Sequence, residues 1–245
     1  MAALLLAIPS KGRLKDNCNA WFESAGVVME QTVGARGYRA SFAGFPDVEV
    51  MLLSASEIAS SLLAGDIHLG ITGEDLLREE APELEGRMHL IKPLGFGFAD
   101  VVVAVSQYWI DVSTMADLDD VCAAYASTHR RRLRVATKYA QLTRSFFAQA
   151  RISDYRIVPS AGATEGAPAA GTAEVIVDIT TTGATLRDNG LKILDDGVML
   201  KSQAQLAASL SADWTNGTRA ACEKLLGQLD PANPLYATLA AQLPA

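Results

Sequence analysis

Short apolar runs recur along this chain, each followed by a stretch with helical spacing. Residues 4–8, LLLAI, are the first run, and a helical pattern over 14–24 follows and closes at Gly26. Residues 48–53 predict a strand and 54–63 a helix, with Gly65 just past its end. Residues 67–72 predict a short strand that turns at Gly73 into an acidic helix start, Glu74 and Asp75. The second half repeats the theme. The β-branched run 101–105 predicts a buried strand, and 133–136, 155–158 and 175–179 predict three more. Helices are predicted between them over 139–150 and 164–170. Residues 191–194 and 198–200 predict two strands parted by a turn at Asp195, Asp196 and Gly197. Helix-forming sequence then runs over 212–229, and Pro231 and Pro234 break it before a last short helix.

Alternation of strand and helix predicts an α/β fold, with parallel strands covered by helices. The two sets predict two lobes with a cleft between them. The expected boundaries are 1–96 with 188–211 for the first lobe, 97–187 for the second, and 212–245 for a helical tail. Ligands of open α/β sheets collect at the carboxyl ends of strands, where helix N-termini point.

Composition narrows the picture. Of 245 residues 49% are hydrophobic, enough to bury a core without a disulfide or metal staple. Twenty-eight acidic and 21 basic side chains leave a charge of −7, which disfavours general nucleic-acid binding. The stretch 127–132, with the three adjacent arginines Arg130, Arg131 and Arg132, reads as an exposed connection. Cys18, Cys122 and Cys222 are far apart and form no C-x-x-C pair, so free thiols of a reducing cytoplasm are expected. The apolar start is too short for a secretory h-region, and no apolar run reaches membrane-spanning length. A cytoplasmic protein without membrane contact is therefore expected. His68, His89 and His129 are scattered, with His68 expected in the core; no nucleophile–histidine arrangement stands out. A Walker loop is absent, and GFGFAD from Gly95 lacks the third glycine of a dinucleotide fingerprint.

Chemistry concentrates in residues 174–191, EVIVDITTTGATLRDNGL. A buried strand delivers Asp178 at its carboxyl end, and Thr180, Thr181, Thr182, Gly183, Ala184 and Thr185 follow before Leu186. Consecutive amides and rotatable hydroxyls in such a turn converge on an anion, Gly183 permits close approach, and a helix start would add positive potential. Asp178 would repel a phosphate directly above it, but beside one it would accept hydrogen bonds from ribose hydroxyls. The pattern points to a sugar phosphate; the plainer alternative is a threonine-rich turn capped by an aspartate.

The segment resembles the signature of the ATP phosphoribosyltransferase family. Glu165, Gly171, Ala173, Ile176, Asp178, Ile179, Thr182, Gly183, Thr185 and Leu186 fill its fixed positions. AIPSKGRL, with Lys11, Gly12 and Arg13, is similar to the family's first motif; GITGED at 70–75 and RVATKY at 134–139 are similar to two others. The likeness runs from about residue 4 to 209. It departs at LSASEIA, 53–59, where Ser54 and Ser56 stand in place of two basic residues of a family stretch such as LRARDIP; Ala140 replaces a common proline.

The resemblance implies a two-lobed fold of the periplasmic-binding-protein type II class with added C-terminal helices. It implies transfer of the phosphoribosyl group of 5-phosphoribosyl 1-pyrophosphate (PRPP) to N1 of ATP, the first step of histidine biosynthesis. Asp178 and residues 180–185 would bind PRPP; Lys11, Arg13 and Asp178 would act in catalysis. Arg13, Thr72, Asp75, Lys138 and Glu165 would face ATP. Magnesium would ride on the phosphates, with no protein metal cage. Only about thirty residues follow Ala212, which suggests the short form of the family, whose members work with a regulatory subunit resembling histidyl-tRNA synthetase. A homo-oligomer or hetero-oligomer is expected. The rival readings are a catalytically weak paralogue, which the lost basic residues keep open, and a cytosolic binding module for phosphorylated ligands.

Overall fold

The computed structural model describes residues 3–31, 38–81, 83–84, 86–233 and 235–243. Pro234, expected to help end the C-terminal helix, lies outside them. The chain begins with β1 (Leu4–Pro9), α1 (Gly12–Ser24), β2 (Met29–Gln31), β3 (Arg39–Phe42), β4 (Phe45–Leu53), α2 (Ala55–Ala64), β5 (Leu69–Gly73), α3 (Glu74–Glu80) and β6 (Met88–Pro93). It continues through β7 (Ala99–Ser106), α4 (Met115–His129), β8 (Leu133–Thr137), α5 (Ala140–Gln149), β9 (Tyr155–Pro159), a 3-10 turn (Thr164–Gly166), β10 (Val175–Thr180), α6 (Ala184–Asp188) and β11 (Leu191–Ser202). β12 (Ala204–Ser209), α7 (Asn216–Leu229) and α8 (Leu235–Ala240) close it. These elements form two compact units, Met1–Gly97 with Gln203–Ala245, and Phe98–Ser202. The α/β class and the division into two sheet-centred units are those expected from the sequence.

The first unit holds a sheet in the order β2-β3-β4-β1-β5-β12-β6. Its centre is parallel: β1 runs beside β4 and β5. Leu4, Leu6 and Ile8 point into one core with Val50, Leu52 and Leu69, while Ala7 joins a second core with Ile58 and Leu62 of α2. This two-faced burial is why LLLAI reads as a continuous apolar run and not an alternating one. α2 lies so close to β5 that a Cβ on Gly70 would sit 2.7 Å from Ile58 Cγ2, so only glycine fits there. α2 opens with a capping box: the Ser54 hydroxyl accepts from the Glu57 amide, and the Glu57 carboxylate accepts from the Ser54 amide.

Residues 212–245, expected as a separate tail, belong to this unit. Cys222, Leu225, Leu226 and Leu229 of α7 share the core of Leu4 and Val50. The helix begins at Asn216, after Thr215 caps it by accepting from the Thr218 amide, and not at residue 212. His68 fastens the segment before it: Leu5 N–H donates to His68 Nδ1 at 3.1 Å, and Nε2 lies 3.1 Å from the Asp213 carbonyl. The ring meets Trp214 edge-on.

The second unit holds a sheet in the order β11-β7-β10-β8-β9. β10 is parallel to β8 and antiparallel to β7. β11 pairs with β7 from Leu191 opposite Ser106 to Ser202 opposite Ala99. Residues 188–202, assigned above to the first lobe, therefore lie in the second unit. The two strands expected at 191–194 and 198–200 are one strand with register shifts. The Asp195–Gly197 stretch is a bulge rather than a hairpin turn; its Asp196 carboxylate accepts from the Met115 amide at the start of α4, and Asp195 N–H donates to Ser113 O. The helix expected over 164–170 shrinks to the 3-10 turn. All three cysteines are free and buried, and burial pushes each thiol up to about 12.

Candidate active site

The carboxyl end of β10 carries the site of the second unit. Val175, Ile176 and Val177 are fully buried between β7 and β8, which fixes where Asp178 emerges. Asp178, Thr180, Thr181, Thr182 and Thr185 line one cavity of about 350 Å³ together with Glu165, Ile179, Ala99 and Leu186. The cavity thus gathers most of the residues expected to hold PRPP, and it lies wholly within this unit. Gly183 and Ala184 form its backbone turn and do not line it. Ala99, Ile179 and Leu186 were not expected to line it; Ala99 carries no polar signal, and Ile179 and Leu186 enter the sequence reading as positions of the family signature.

The turn is held by its own hydroxyls. Gly183 N–H donates to Thr180 Oγ1 at 2.8 Å, and Ala184 N–H to Thr182 Oγ1 at 3.3 Å. Gly183 sits at φ +69°, a left-handed conformation that other residues resist. Arg187 Nη1 donates to the Thr182 carbonyl at 3.1 Å. α6 has only five residues, so hydroxyls and amides shape this turn more than a helix dipole does.

Asp178 is half-buried, and its Oδ1 accepts from the Ile179 amide at 2.8 Å. Burial pushes its carboxyl above the ordinary value; the amide bond and Lys138 pull it down, and Glu165 pushes it up. Lys138 follows directly after Thr137, which pairs with Val177 across the parallel β8–β10 ladder. Its ammonium lies 4.9 Å from the centre of the Tyr139 ring. Asp178, Glu165 and Lys138 therefore form one electrostatic group. Among the described residues, no group of three or more His, Cys, Asp or Glu could hold a metal ion.

The remaining expected residues lie in the first unit, at the carboxyl ends of the parallel strands β4, β1 and β5. Three helices start on this rim: α2 after Ser54, α1 after Lys11 and α3 after Gly73. Lys11 and Arg13 are exposed at the start of α1. Asp75 is buried in the first turn of α3. Thr72 corrects the expectation. It is 0% exposed, and its hydroxyl donates to the Ala55 carbonyl at 2.8 Å. Thr72 therefore ties β5 to the start of α2 and offers no surface to a ligand. Ser54 is occupied as the cap of α2, while Ser56 is exposed beside it.

No helix of the described residues is long and apolar enough to cross a membrane. Comparison with known proteins agrees with the motifs. The family model described as HisG, ATP phosphoribosyltransferase, matches residues 54–230. The ATP phosphoribosyltransferase of Rhodopseudomonas palustris (strain HaA2) is 60% identical over 228 residues, which are 93% of this chain and 70% of that protein. That of Caulobacter vibrioides (strain NA1000 / CB15N) is 58% identical over 227 residues, 93% of this chain and 71% of that protein. Among solved structures, the ATP phosphoribosyl transferase (HisG:HisZ) complex from Thermotoga maritima aligns with a TM-score of 0.69 at 23% identity, covering 96% of this chain and 98% of that one. That likeness establishes the shared fold. The matched stretch takes in Asp178, the threonine turn, Lys138 and Glu165, and with the identity to curated relatives it places the chain in the ATP phosphoribosyltransferase family.

Proposed function

We propose that this chain transfers the 5-phosphoribosyl group of PRPP to N1 of ATP, giving phosphoribosyl-ATP and pyrophosphate, the first step of histidine biosynthesis. The observation that carries the reading is the threonine-lined cavity beside Asp178. Its hydroxyls suit the 5-phosphate, while Asp178 accepts from the ribose hydroxyls next to it. As the bond from C1′ to pyrophosphate breaks, positive charge develops on the ribose, and the Asp178 carboxylate favours that charge. No protein nucleophile is needed, because the adenine nitrogen attacks.

Lys11 and Arg13, exposed at the start of α1, suit the pyrophosphate or the ATP phosphates, with Arg13 able to bind two oxygens at once. Within the second unit, Lys138 and Glu165 belong to the nucleotide side. Glu165 and Asp178, two carboxylates on one cavity, fit a magnesium ion that keeps most of its waters and arrives on the substrate phosphates. That ion, when bound, would neutralise charge on the departing pyrophosphate. We also propose a partner of the histidyl-tRNA-synthetase-like kind; the chain of similar fold was solved in a HisG:HisZ complex. An assembly of several subunits and a cytoplasmic setting belong to the same reading.

The capped Ser54 and its neighbour Ser56, where the family stretch carries basic residues, favour one second reading, a catalytically weak paralogue. Incubation with ATP, PRPP and magnesium decides. Release of pyrophosphate matched by phosphoribosyl-ATP supports the enzyme. No turnover, with or without the synthetase-like partner, while PRPP still binds, leaves a weak paralogue or a binding module.

A further inference from the structure

Arg187 lies outside the motif residues assigned to substrate, yet it reaches the centre of the threonine turn. The Thr182–Gly183 peptide is a rigid plane with its C=O and N–H on opposite sides. Both ends are engaged. The carbonyl accepts from Arg187 Nη1 at 3.1 Å, and the amide donates to Thr180 Oγ1 at 2.8 Å. The guanidinium also lies over Gly183, where a Cβ would stand 3.0 Å from Nη1.

An arginine in the last turn of a helix usually serves that helix's own end. Here the end of α6 is served by Asn189: its amide and its side-chain Nδ2 both donate to the Thr185 carbonyl, at 3.2 and 2.9 Å. Arg187 instead reaches back to a carbonyl that precedes the first residue of α6. We propose that Arg187 is a positioning residue, whose charge-assisted bond to Thr182 O locks the turn in the shape that receives the ribose phosphate. The proposal rests on the phosphate reading of the turn. With the peptide locked, PRPP binding does not bear the entropy of ordering it. The side chain is exposed, so its loss spares the core.

Steady-state kinetics on Arg187→Met, Arg187→Lys and Thr185→Val, with PRPP and ATP varied separately, test this. Arg187→Met should raise the KM for PRPP about tenfold, the scale of one charge-assisted hydrogen bond. The KM for ATP and the kcat should stay within about twofold, because uniform binding alone is lost. Arg187→Lys, which keeps a donor, should recover part of the loss. The dependence of the PRPP KM on salt should be the same in wild type and Arg187→Met. A shallower salt dependence in Arg187→Met would make Arg187 a phosphate ligand and overturn the proposal. Equal rises in both KM values, or a fall in melting temperature that tracks the kinetic loss, would reduce it to a structural residue. Thr185→Val separates the two levels. If it raises the PRPP KM while Arg187→Met does not, only the positioning role fails; if neither does, the phosphate reading fails.

Discussion

Asp178 combines a cost to the fold with the use in binding proposed for it. Its folded pKa lies above the ordinary value because burial outweighs the Ile179 amide and Lys138. The folded state therefore holds that proton more tightly than the unfolded chain does. The charged form is penalised as pH rises through the ordinary carboxylate range, and the penalty is absent below it. Asp178→Asn should thus melt higher than wild type at neutral pH, with the advantage shrinking as pH falls toward 4. The same change should weaken PRPP binding and leave ATP binding nearly intact, as calorimetry with each ligand would show. Equal losses for both ligands would contradict the ribose role. At this scale the sequence pointed to one segment, and the structure gathers Asp178 and four threonines of it on one cavity, joined by Glu165, which was expected to face ATP. Thr72 was misread because a threonine at a strand end looks the same in sequence whether its hydroxyl faces a ligand or a helix carbonyl. Arg187 was missed because its partner is a backbone carbonyl, which leaves no mark in the sequence.

Among the elements, strands carrying a continuous apolar run, such as β1, β7 and β10, were plain, while β2, β3, β6 and β12 were not. β12 is AQLAAS, buried along its whole length between β5 and β6; its small residues show neither alternation nor branching. β2 and β3 are short antiparallel additions at the sheet edge. α4 was hidden in a stretch whose apolar and polar residues do not separate cleanly into faces. Its opening, Thr114 and Asp117, is nonetheless a reciprocal cap. Elements of the second unit are joined by Glu174, which accepts from Arg134, Arg131 and the Tyr125 hydroxyl. Burial alone would raise its carboxyl, but these bonds outweigh it and hold it at about 2. The stabilisation is complete above the ordinary 4.5 and is lost as pH falls toward about 2. Glu174→Gln should lower stability at pH 7 by about 1–3 kcal/mol. Urea titrations of the two proteins should converge through that acid window; a constant gap would show that shape, not charge, holds the junction.

For the whole chain, the α/β plan of two sheet-centred units was legible, while two assignments depended on contacts distant in sequence. Residues 188–202 hold the end of α6 and all of β11, and only the pairing of β11 with β7 assigns them to the second unit. The closing helices looked like an appendage because their apolar face finds its partners near residue 4. His68 is part of that closure. Burial lowers its pKa from the ordinary 6.5, against the pull of the Asp213 carbonyl and charge. The unfolded chain therefore takes up the proton first, and stability should decline as pH drops below 6.5. Protonation at Nδ1 also removes the acceptor for Leu5 N–H. His68→Gln should flatten the acid side of the stability curve between pH 7 and about 5; an unchanged slope would discount the histidine.

The phosphate-gripping turn is the claim on which the enzymatic account depends. Isothermal calorimetry of PRPP with magnesium, run on wild type and Gly183→Val, tests it most directly. A branched side chain at φ +69° strains the turn, and its Cβ displaces Arg187. Wild type should bind PRPP, and Gly183→Val, with an unchanged far-ultraviolet circular dichroism spectrum, should show no heat of binding. Undiminished PRPP affinity in Gly183→Val would place the ribose phosphate elsewhere and contradict the account.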